Sequence, residues 1–580
     1  MPKIGGSIVL DEIICARKIL ETYKEITVNQ VYKNTIIFKL FNKDFALLCP
    51  ERPESKALIL LINDDGFDFP HIILKEYPVN EDSFLPKGRY RIVCLYEAES
   101  VVFSIMSFDE KIIDVIERLI KLLSLNRTER NREFQKEFSY YWKCFAGEFY
   151  VNVYLSQEKT FSKMNYYCRR YGKGYDRRFI EQGIELSDLG GIDKRGNRYW
   201  QEHIEKNVYY IPIIDNREIL PPYRGHPWTI NHVKNIICGK QIDHISYETY
   251  QSIKEEKVAT QNIILIFGMQ MEETFTCFAV EIKCKNRSNR TLMEKICEDA
   301  FDIELLVSSR KDFTFLNNQI GNDIELKGKK VLLIGSGSLG SYFALELIKN
   351  GVSHLKIYDG DVLEDENTFR WIFGAFGKGC NKAENLSLLL NWIHPEIHVE
   401  AVKQNIDDKI LTEEAKLFDM IIFSVGNTDS QMRFNRVLKL SNCNIPVFYS
   451  WIEAGGEYSH ILMVDYGKQG CYQCLYTDKL GGFVNNRTNL NNEGVNEKKI
   501  IRNGCGGTRA AYGTAVLLRT TAVLLDLIKK FSSGKINGTT LIDITPENII
   551  HREDVIPMER CGCCGNINEQ LLREDGTSES

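Results

Sequence analysis

Three sets of residues in this chain have the types and spacing to do chemistry, and all lie in its C-terminal half. The first is a glycine-rich turn followed by cations. Residues 330–340, KVLLIGSGSLG, lead from a basic entry through an apolar run into G-x-G-x-x-G, formed by Gly335, Gly337 and Gly340. Glycines at such a turn let the backbone approach a phosphate, and a following helix offers its free N–H groups. An acidic pair, Asp359 and Asp361, comes after a second short apolar run at 355–358. An acid at that place is suited to a ribose hydroxyl. Alone, this unit does not distinguish a dinucleotide from ATP, and a turn with no ligand is a third reading. Asn367, Arg370 and Lys382 then follow closely. Two cations and an amide beside a nucleotide suit a phosphoryl group under attack and a departing pyrophosphate. Hydride transfer would not need them.

The second set is a pair of C-x-x-C elements, Cys471/Cys474 and Cys561/Cys564. Each can chelate one side of a metal, and four thiolates close a tetrahedral zinc site. The pairs are too far apart for a zinc ribbon, so the metal would staple distant segments. Cys563 is then a bystander. Neither pair follows a thioredoxin-like βαβ pattern, which speaks against a redox role. The third is Cys505, in NGCGGTRAAY at 503–512. It is expected at a flexible hinge just before a helix that runs to about residue 531, a position that lowers a thiol pKa and exposes the sulfur. An ordinary loop cysteine is the alternative.

The elements that must position these groups are legible around them. A helix is expected at 341–349 and a strand at 420–424, followed by Asp429, which is either a turn residue or a metal-binding acid. Residues 479–503 are rich in Asn, Gly, Lys and Glu and read as a mobile loop. In the N-terminal third, short apolar runs at 36–41, 45–49, 57–62 and 72–75 predict an antiparallel meander. Gly88 and Cys94-Leu95 follow, then an amphipathic helix at 109–124 and a further helical stretch at 130–142. The middle, from Gly147 to about 308, alternates strand-like runs (149–155, 209–214, 262–268 and 276–282) with polar loops, and an α/β linker domain is expected there. The segment PPYRGHPW at 221–228 reads as a proline-rich loop.

In their order, the C-terminal motifs resemble the adenylation domain of the ThiF, MoeB and ubiquitin-activating E1 superfamily. Its signature runs G-x-G-x-x-G, D-x-D, N-x-x-R and G-x-x-K-A, matched here by Gly335/Gly337/Gly340, Asp359/Asp361, Asn367/Arg370 and Gly379/Lys382/Ala383. His394-Pro-Glu-Ile stands where the superfamily has an Asn-Pro-x-Ile-like turn. The resemblance implies ATP as substrate, magnesium at Asp429, and structural zinc at the four paired cysteines. It also implies a thioester cysteine on a crossover loop, the place of Cys505, and an arginine lent by a partner subunit, for which Arg310 is the nearest match. The N-terminal third is similar to a ubiquitin-conjugating E2 fold. Gly88…Ile92-Val-Cys94-Leu95 is a loose version of its G-x-I-C-L thioester motif, without the His-Pro-Asn that usually precedes it.

Taken together, the sequence predicts an E2-like module at 1–145, a linker domain at 146–308 and a Rossmann-like, zinc-stapled adenylation domain at 309–580. That layout resembles the bacterial E2–E1 fusions of CBASS antiphage systems. The resemblance implies activation of the C-terminus of a cGAS-like nucleotidyltransferase and its conjugation to lysines of target proteins. It further implies a homodimer built on the E1-like halves. A MoeB- or ThiF-like activator of a sulfur carrier is the alternative, one that would not need Cys94 or so long an N-terminal extension. At 580 residues the chain is long enough for three to four domains. Its net charge of −6 gives no nucleic-acid footprint, and it has no apolar run near the ~20 residues of a membrane span. It lacks the layout of a signal peptide, so a cytoplasmic location is expected. Seventeen cysteines in a reducing compartment should serve mostly as core residues, ligands or nucleophiles rather than disulfides. Cys15, Cys144, Cys238, Cys277, Cys284, Cys297 and Cys443 are among those expected to be core or idle.

Overall fold

The computed structural model describes residues 8–32, 35–41, 57–61, 71–75, 90–93, 95–96, 105–171, 173–187, 189, 200–203, 207–222, 226–239, 244–271, 274–286, 289–321, 326–468, 470–484, 500–503 and 507–565. Cys94 and Cys505 lie outside these residues, as does the run at 45–49.

The N-terminal region begins with helix α1 (Ile8–Thr22). Five antiparallel strands follow in sequential order: β1 (Ile26–Tyr32), β2 (Thr35–Leu40), β3 (Ala57–Leu61), β4 (His71–Lys75) and β5 (Tyr90–Ile92). The runs at 36–41, 57–62 and 72–75 therefore form a meander, with an additional strand at each end and a leading helix. Helix α2 (Phe108–Leu123) starts at a capping box in which Ser107 and Glu110 satisfy each other's backbone N–H groups. Its apolar stripe, Ile112, Val115, Ile116 and Leu119, packs with Ala16 and Leu20 of α1 on Phe38, Leu58 and Leu60 of the sheet. Helices α3 (Arg127–Lys136) and α4 (Phe138–Phe145) divide the helical stretch expected at 130–142.

Helix α4 packs forward. Phe138 and Trp142 are buried against Phe278 of the middle region, with ring centroids 4.9 and 4.6 Å away. The Trp142 indole N–H donates to the Leu306 carbonyl at 2.9 Å. Helix α4 thus belongs to the core of the middle region, separate from the N-terminal core that ends with Leu123.

The middle region, expected as an α/β linker domain, is built on a sheet that closes on itself. Its strands are β6 (Tyr150–Tyr154), β7 (Ser162–Tyr171), β8 (Gly174–Glu181), β9 (Gln201–Glu202), β10 (Asn207–Ile213), β11 (Lys257–Val258), β12 (Asn262–Gln270), β13 (Phe275–Cys284), β14 (Arg290–Thr291) and β15 (Ala300–Arg310). The main sheet runs β10-β12-β13-β15-β6-β8-β7-β9, and β10 also pairs with β7. That last ladder closes seven strands into a barrel. The alternation along each strand gives the physical reason. Val208, Tyr210, Ile264, Ile266 and Phe179 fill the inside, while Tyr209, Ile211, Ile263, Leu265 and Phe267 face out. Helices α5 (Ile230–Cys238), α6 (Tyr247–Glu255) and the one-turn α7 (Leu292–Glu294) accompany this outer layer. Two cysteines expected to be idle, Cys238 on α5 and Cys297 beyond α7, are joined by a disulfide. Their separation of 59 residues in sequence hid a proximity that only the folding of helices over the barrel creates.

The C-terminal region opens with α8 (Phe313–Gln319). Strand β16 (Lys330–Ile334) leads through the glycine turn into α9 (Ser338–Lys349), and β17 (His354–Tyr358) follows. Then come α10 (Lys382–Ile393), β18 (His398–Val402), α11 (Asp408–Glu414), β19 (Met420–Phe423), α12 (Thr428–Leu440), β20 (Val447–Ile452) and β21 (Ser459–Val464). A hairpin of β22 (Ile500–Asn503) and β23 (Gly507–Ala510) precedes α13 (Thr514–Ser532), and β24 (Thr540–Ile544) and β25 (Ile550–Asp554) complete the set. The sheet order is β18-β17-β16-β19-β20-β21-β24-β25, parallel from β18 to β20 and antiparallel beyond. Helices α9, α10 and α13 cover one face, and α11 and α12 the other. Among the described residues no helix is long and apolar enough to cross a membrane.

Candidate active site and four-cysteine centre

The strand order reverses between β16 and β19, so a crevice opens beyond their carboxyl ends. In open α/β sheets that is where ligands sit. Gly335 leaves β16 with φ of +94°, a conformation that side chains with a Cβ resist. At Gly340 a Cβ would lie 2.1 Å from the Gly335 carbonyl oxygen and 2.4 Å from Ser424 Oγ, so only glycine lets α9 close on β19's exit. At Gly337 a Cβ would meet nothing within 4 Å, which leaves space over the turn.

A chain of hydrogen bonds links this turn to the acids and the lysine. Ser336, fully buried, donates its backbone N–H to Asp359 Oδ2 at 2.7 Å and its hydroxyl to the same oxygen at 3.0 Å. Asp359 Oδ1 accepts the Asp361 N–H at 2.9 Å. Asn381 donates to the carbonyls of Asp359 and Asp361 while capping α10 through the Glu384 N–H. Lys382, largely buried, places Nζ 3.0 Å from the exposed Asp361 carboxylate. Sequence reasoning singled out both acids and the lysine. It missed Asn381, although an asparagine immediately before an apolar helix is an N-cap signal.

Asn367 and Arg370 are joined locally. Asn367 Oδ1 accepts the Glu364 N–H, and its carbonyl accepts the N–H groups of Arg370 and Trp371 at 2.9 Å. Asn367 therefore shapes the turn that carries Arg370. The Arg370 guanidinium lies over the Tyr512 ring, 4.7 Å from its centroid. Tyr512 reaches back to Ser338 Oγ at 3.4 Å, and Trp371 donates its indole N–H to the Ser336 carbonyl. Tyr512 and Trp371 thus connect Arg370 to the glycine turn, a link that no motif announces.

Asp429 is exposed in the first turn of α12, beyond the strand that flanks the glycine turn. Arg310 is held within its own chain. It is buried, paired with Asp312 and Glu158, and lies over the rings of Phe275 and Phe315. That network ties β15 to α8 and explains why a buried arginine stands at the entry to this region. Cys505 was expected just before a helix N-terminus. The hairpin strand β23 intervenes, and α13 begins only at Thr514, so the helix-dipole argument for its thiol does not carry.

The two C-x-x-C pairs converge. Cys471 Sγ lies 4.0 Å from Cys474 and 3.8 Å from Cys561, and Cys474 lies 3.3 Å from Cys564. A tetrahedron with metal–sulfur bonds of about 2.3 Å has sulfur–sulfur edges of roughly 3.8 Å, so the donor set fits a four-thiolate metal. Cys471, Cys474 and Cys561 are buried. Four thiolates this close repel unless a cation lies between them. Cys563, beside the four, accepts from Asn435 Nδ2 at 3.1 Å.

Residues 319–550 match the ThiF family model. Over 247 residues, 40% of this chain and 58% of the relative, the sequence is 25% identical to ubiquitin-like modifier-activating enzyme 5 of Drosophila virilis. It is 26% identical over 226 residues to the ATP-dependent ubiquitin transferase-like protein Cap2 of Vibrio cholerae, covering 38% of each chain. A crystal structure of E. coli MccB aligns with a TM-score of 0.32 and 22% identity over 42% of this chain and 68% of that one. The chain spans less than two thirds of the length of these two sequence relatives.

Proposed function

With its C-terminal region belonging to the ThiF/E1 superfamily and similar to Cap2, we propose that this chain activates the C-terminal carboxylate of a protein with ATP and transfers the acyl group through its own cysteines to lysine. The observation that carries the reading is the bonded series Ser336–Asp359–Asn381–Asp361–Lys382 beside Arg370, all at the switch point of the sheet. ATP lies over the glycine turn, with Asp359 and Asp361 on the ribose side. A carboxylate oxygen attacks the α-phosphorus, the bond to the bridging oxygen breaks, and pyrophosphate leaves. Arg370 and Lys382 offset the charge that develops; Lys382 exchanges Asp361 for phosphate oxygens. Asp429 would hold magnesium, which neutralises the phosphates.

The Cys505 thiolate then attacks the acyl carbon and AMP leaves. Thioester exchange passes the acyl group to Cys94, and a target lysine amine displaces that thiol to form the isopeptide. Each transfer is easier than one direct acylation. The helix–meander–helix order of the N-terminal region and the place of Cys94 after β5 support an E2-like role. The similarity to Cap2, an ATP-dependent ubiquitin transferase-like protein, supports the transferase reading, and a cGAS-like nucleotidyltransferase of a CBASS system is the proposed acyl donor. The four cysteines hold zinc, the E1-like halves form a homodimer, and the enzyme works in the cytoplasm.

The test is ATP–pyrophosphate exchange in the presence of a protein with a free C-terminus. Arg370→Ala plus Lys382→Ala should lose roughly 10²–10³-fold or more of the rate; unchanged exchange refutes adenylation. In the relay, Cys505→Ala should leave Cys94 unloaded, and Cys94→Ala should accumulate a thiol-sensitive adduct on Cys505. Exchange without any thioester would favour the sulfur-carrier alternative.

A further inference from the structure

The parallel strands β17 and β18 begin in register, with His354 beside His398, and Glu400 lies two residues further along β18 on the same face as His398. This corner is at the amino ends of the strands, opposite the glycine turn. Five residue steps along β17 separate it from Asp359, about 16 Å at the usual strand rise. His398 Nε2 lies 2.9 Å from Glu400 Oε1, and His354 Nε2 lies 3.2 Å from the same oxygen. All three donor atoms fall within 4.8 Å of one another. The His354 Nε2 atom is buried and makes no hydrogen bond of good angle. Two imidazoles therefore aim at one carboxylate oxygen, and only one of them is well aligned to bond it.

Metal bonds of about 2.0–2.2 Å to nitrogen and oxygen place tetrahedral ligand atoms roughly 3.4 Å apart, close to the separations here. Two cations bear on the corner. Lys356 Nζ is 3.6 Å from Glu400 Oε2, but its nearer partner is Glu414 at 2.6 Å, which offsets its charge. Lys330 opens the neighbouring strand β16 in the same register. The His354 ring is backed by Phe418, 5.3 Å away centroid to centroid, which limits its freedom to turn aside. Side chains from two strands are thus pre-positioned with two imidazole nitrogens and one carboxylate, a donor set that suits first-row dications better than magnesium.

We propose that His354, His398 and Glu400 form a second metal site, for a zinc-class dication, with water completing its coordination. The site joins the sheet's edge strand β18 to β17 and is separate from the four-cysteine centre. It binds the folded chain only, so it stabilises by mass action.

Equilibrium dialysis of the untagged full chain against micromolar Zn²⁺ tests this. The wild type should hold one equivalent more than His398→Gln or Glu400→Gln, whatever the content of the four-cysteine centre. Co²⁺ used in its place should give an additional visible spectrum with no thiolate charge-transfer band, absent in both variants. Added Zn²⁺ should raise the melting temperature of the wild type more than that of the variants. Equal metal content in wild type and both folded variants overturns the proposal, as does an extra equivalent retained by Glu400→Gln.

Discussion

Among the described residues the two large sheets each contain eight strands, and they differ in whether they close. The middle sheet closes through the β10–β7 ladder, and Tyr210, Phe179, Ile264 and Ile266 pack its interior. Among the described residues, apolar side chains fill that interior. The C-terminal sheet stays open and reverses its order at β16/β19, so its loops gather Asp359, Asp361, Arg370 and Lys382 around one crevice. An open sheet carries two exposed edges, and the four-cysteine centre stands where its antiparallel flank returns after β21 and β25. Closure stabilises the middle sheet by burial, while the open sheet provides a site and needs a staple.

The staple gives the strongest way to break the contrast. Cys471→Ser plus Cys561→Ser removes two of four ligands. Structural zinc sites contribute on the order of 10 kcal/mol in small domains, so we expect loss of the metal and unfolding of the C-terminal region. The barrel should persist as a separate, higher-temperature transition in calorimetry. A single unchanged transition with full zinc content would contradict this.

Matched glycine substitutions sharpen the comparison. Gly340→Ala places a Cβ 2.1 Å from a backbone oxygen at the nucleotide turn. We expect pyrophosphate exchange to fall at least about 100-fold, with a stability loss near 1–3 kcal/mol. Gly268→Ala places its Cβ 2.1 Å from Tyr210 Oη and 2.7 Å from Phe275 Cζ in the barrel. A similar loss of about 1–3 kcal/mol is expected there by urea titration, with exchange per folded molecule unchanged. Equal effects on exchange would show that the two sheets are not functionally distinct.

A change confined to one side of neutral pH is expected at their junction. Glu396, in the turn before β18, accepts the Phe313 N–H of α8. Burial pushes its carboxyl up to about 7, against the pull of that N–H. The unfolded carboxyl releases its proton near pH 4.3, so between that value and 7 the folded chain binds more protons. Stability from this group therefore falls as pH rises through that window and is constant above it. Glu396→Gln should flatten the fall, giving a variant more stable than wild type by on the order of 1–3 kcal/mol at pH 8 and little different at pH 4. Parallel pH profiles of the two proteins in urea unfolding would refute it.

Much of the site was legible because its chemistry is local in sequence. Glycines, acids, the arginine and the lysine recur at short spacings, and each motif sits at the end of a strand or the start of a helix. Their partners were not. Tyr512 reaches Ser338 across 174 residues, and Arg370 meets its ring only because α13 packs beside α9. Arg310 looked available as a lead-in arginine, yet Glu158 comes to it from 152 residues earlier.

What the sequence determined by itself was the series of local units: the glycine turn with its acids and cations, the meander, the amphipathic helix at 109–124, and four cysteines able to ligate one ion. Periodicity and spacing encode these because neighbours along the chain must share a face or a turn. Tertiary structure alone decided that the middle strands close into a barrel, that Cys238 meets Cys297, and that His354 and His398 stand side by side over one carboxylate. Those outcomes depend on which strands become neighbours. Many strand orders bury an alternating apolar pattern equally well, and packing across the whole domain selects one of them.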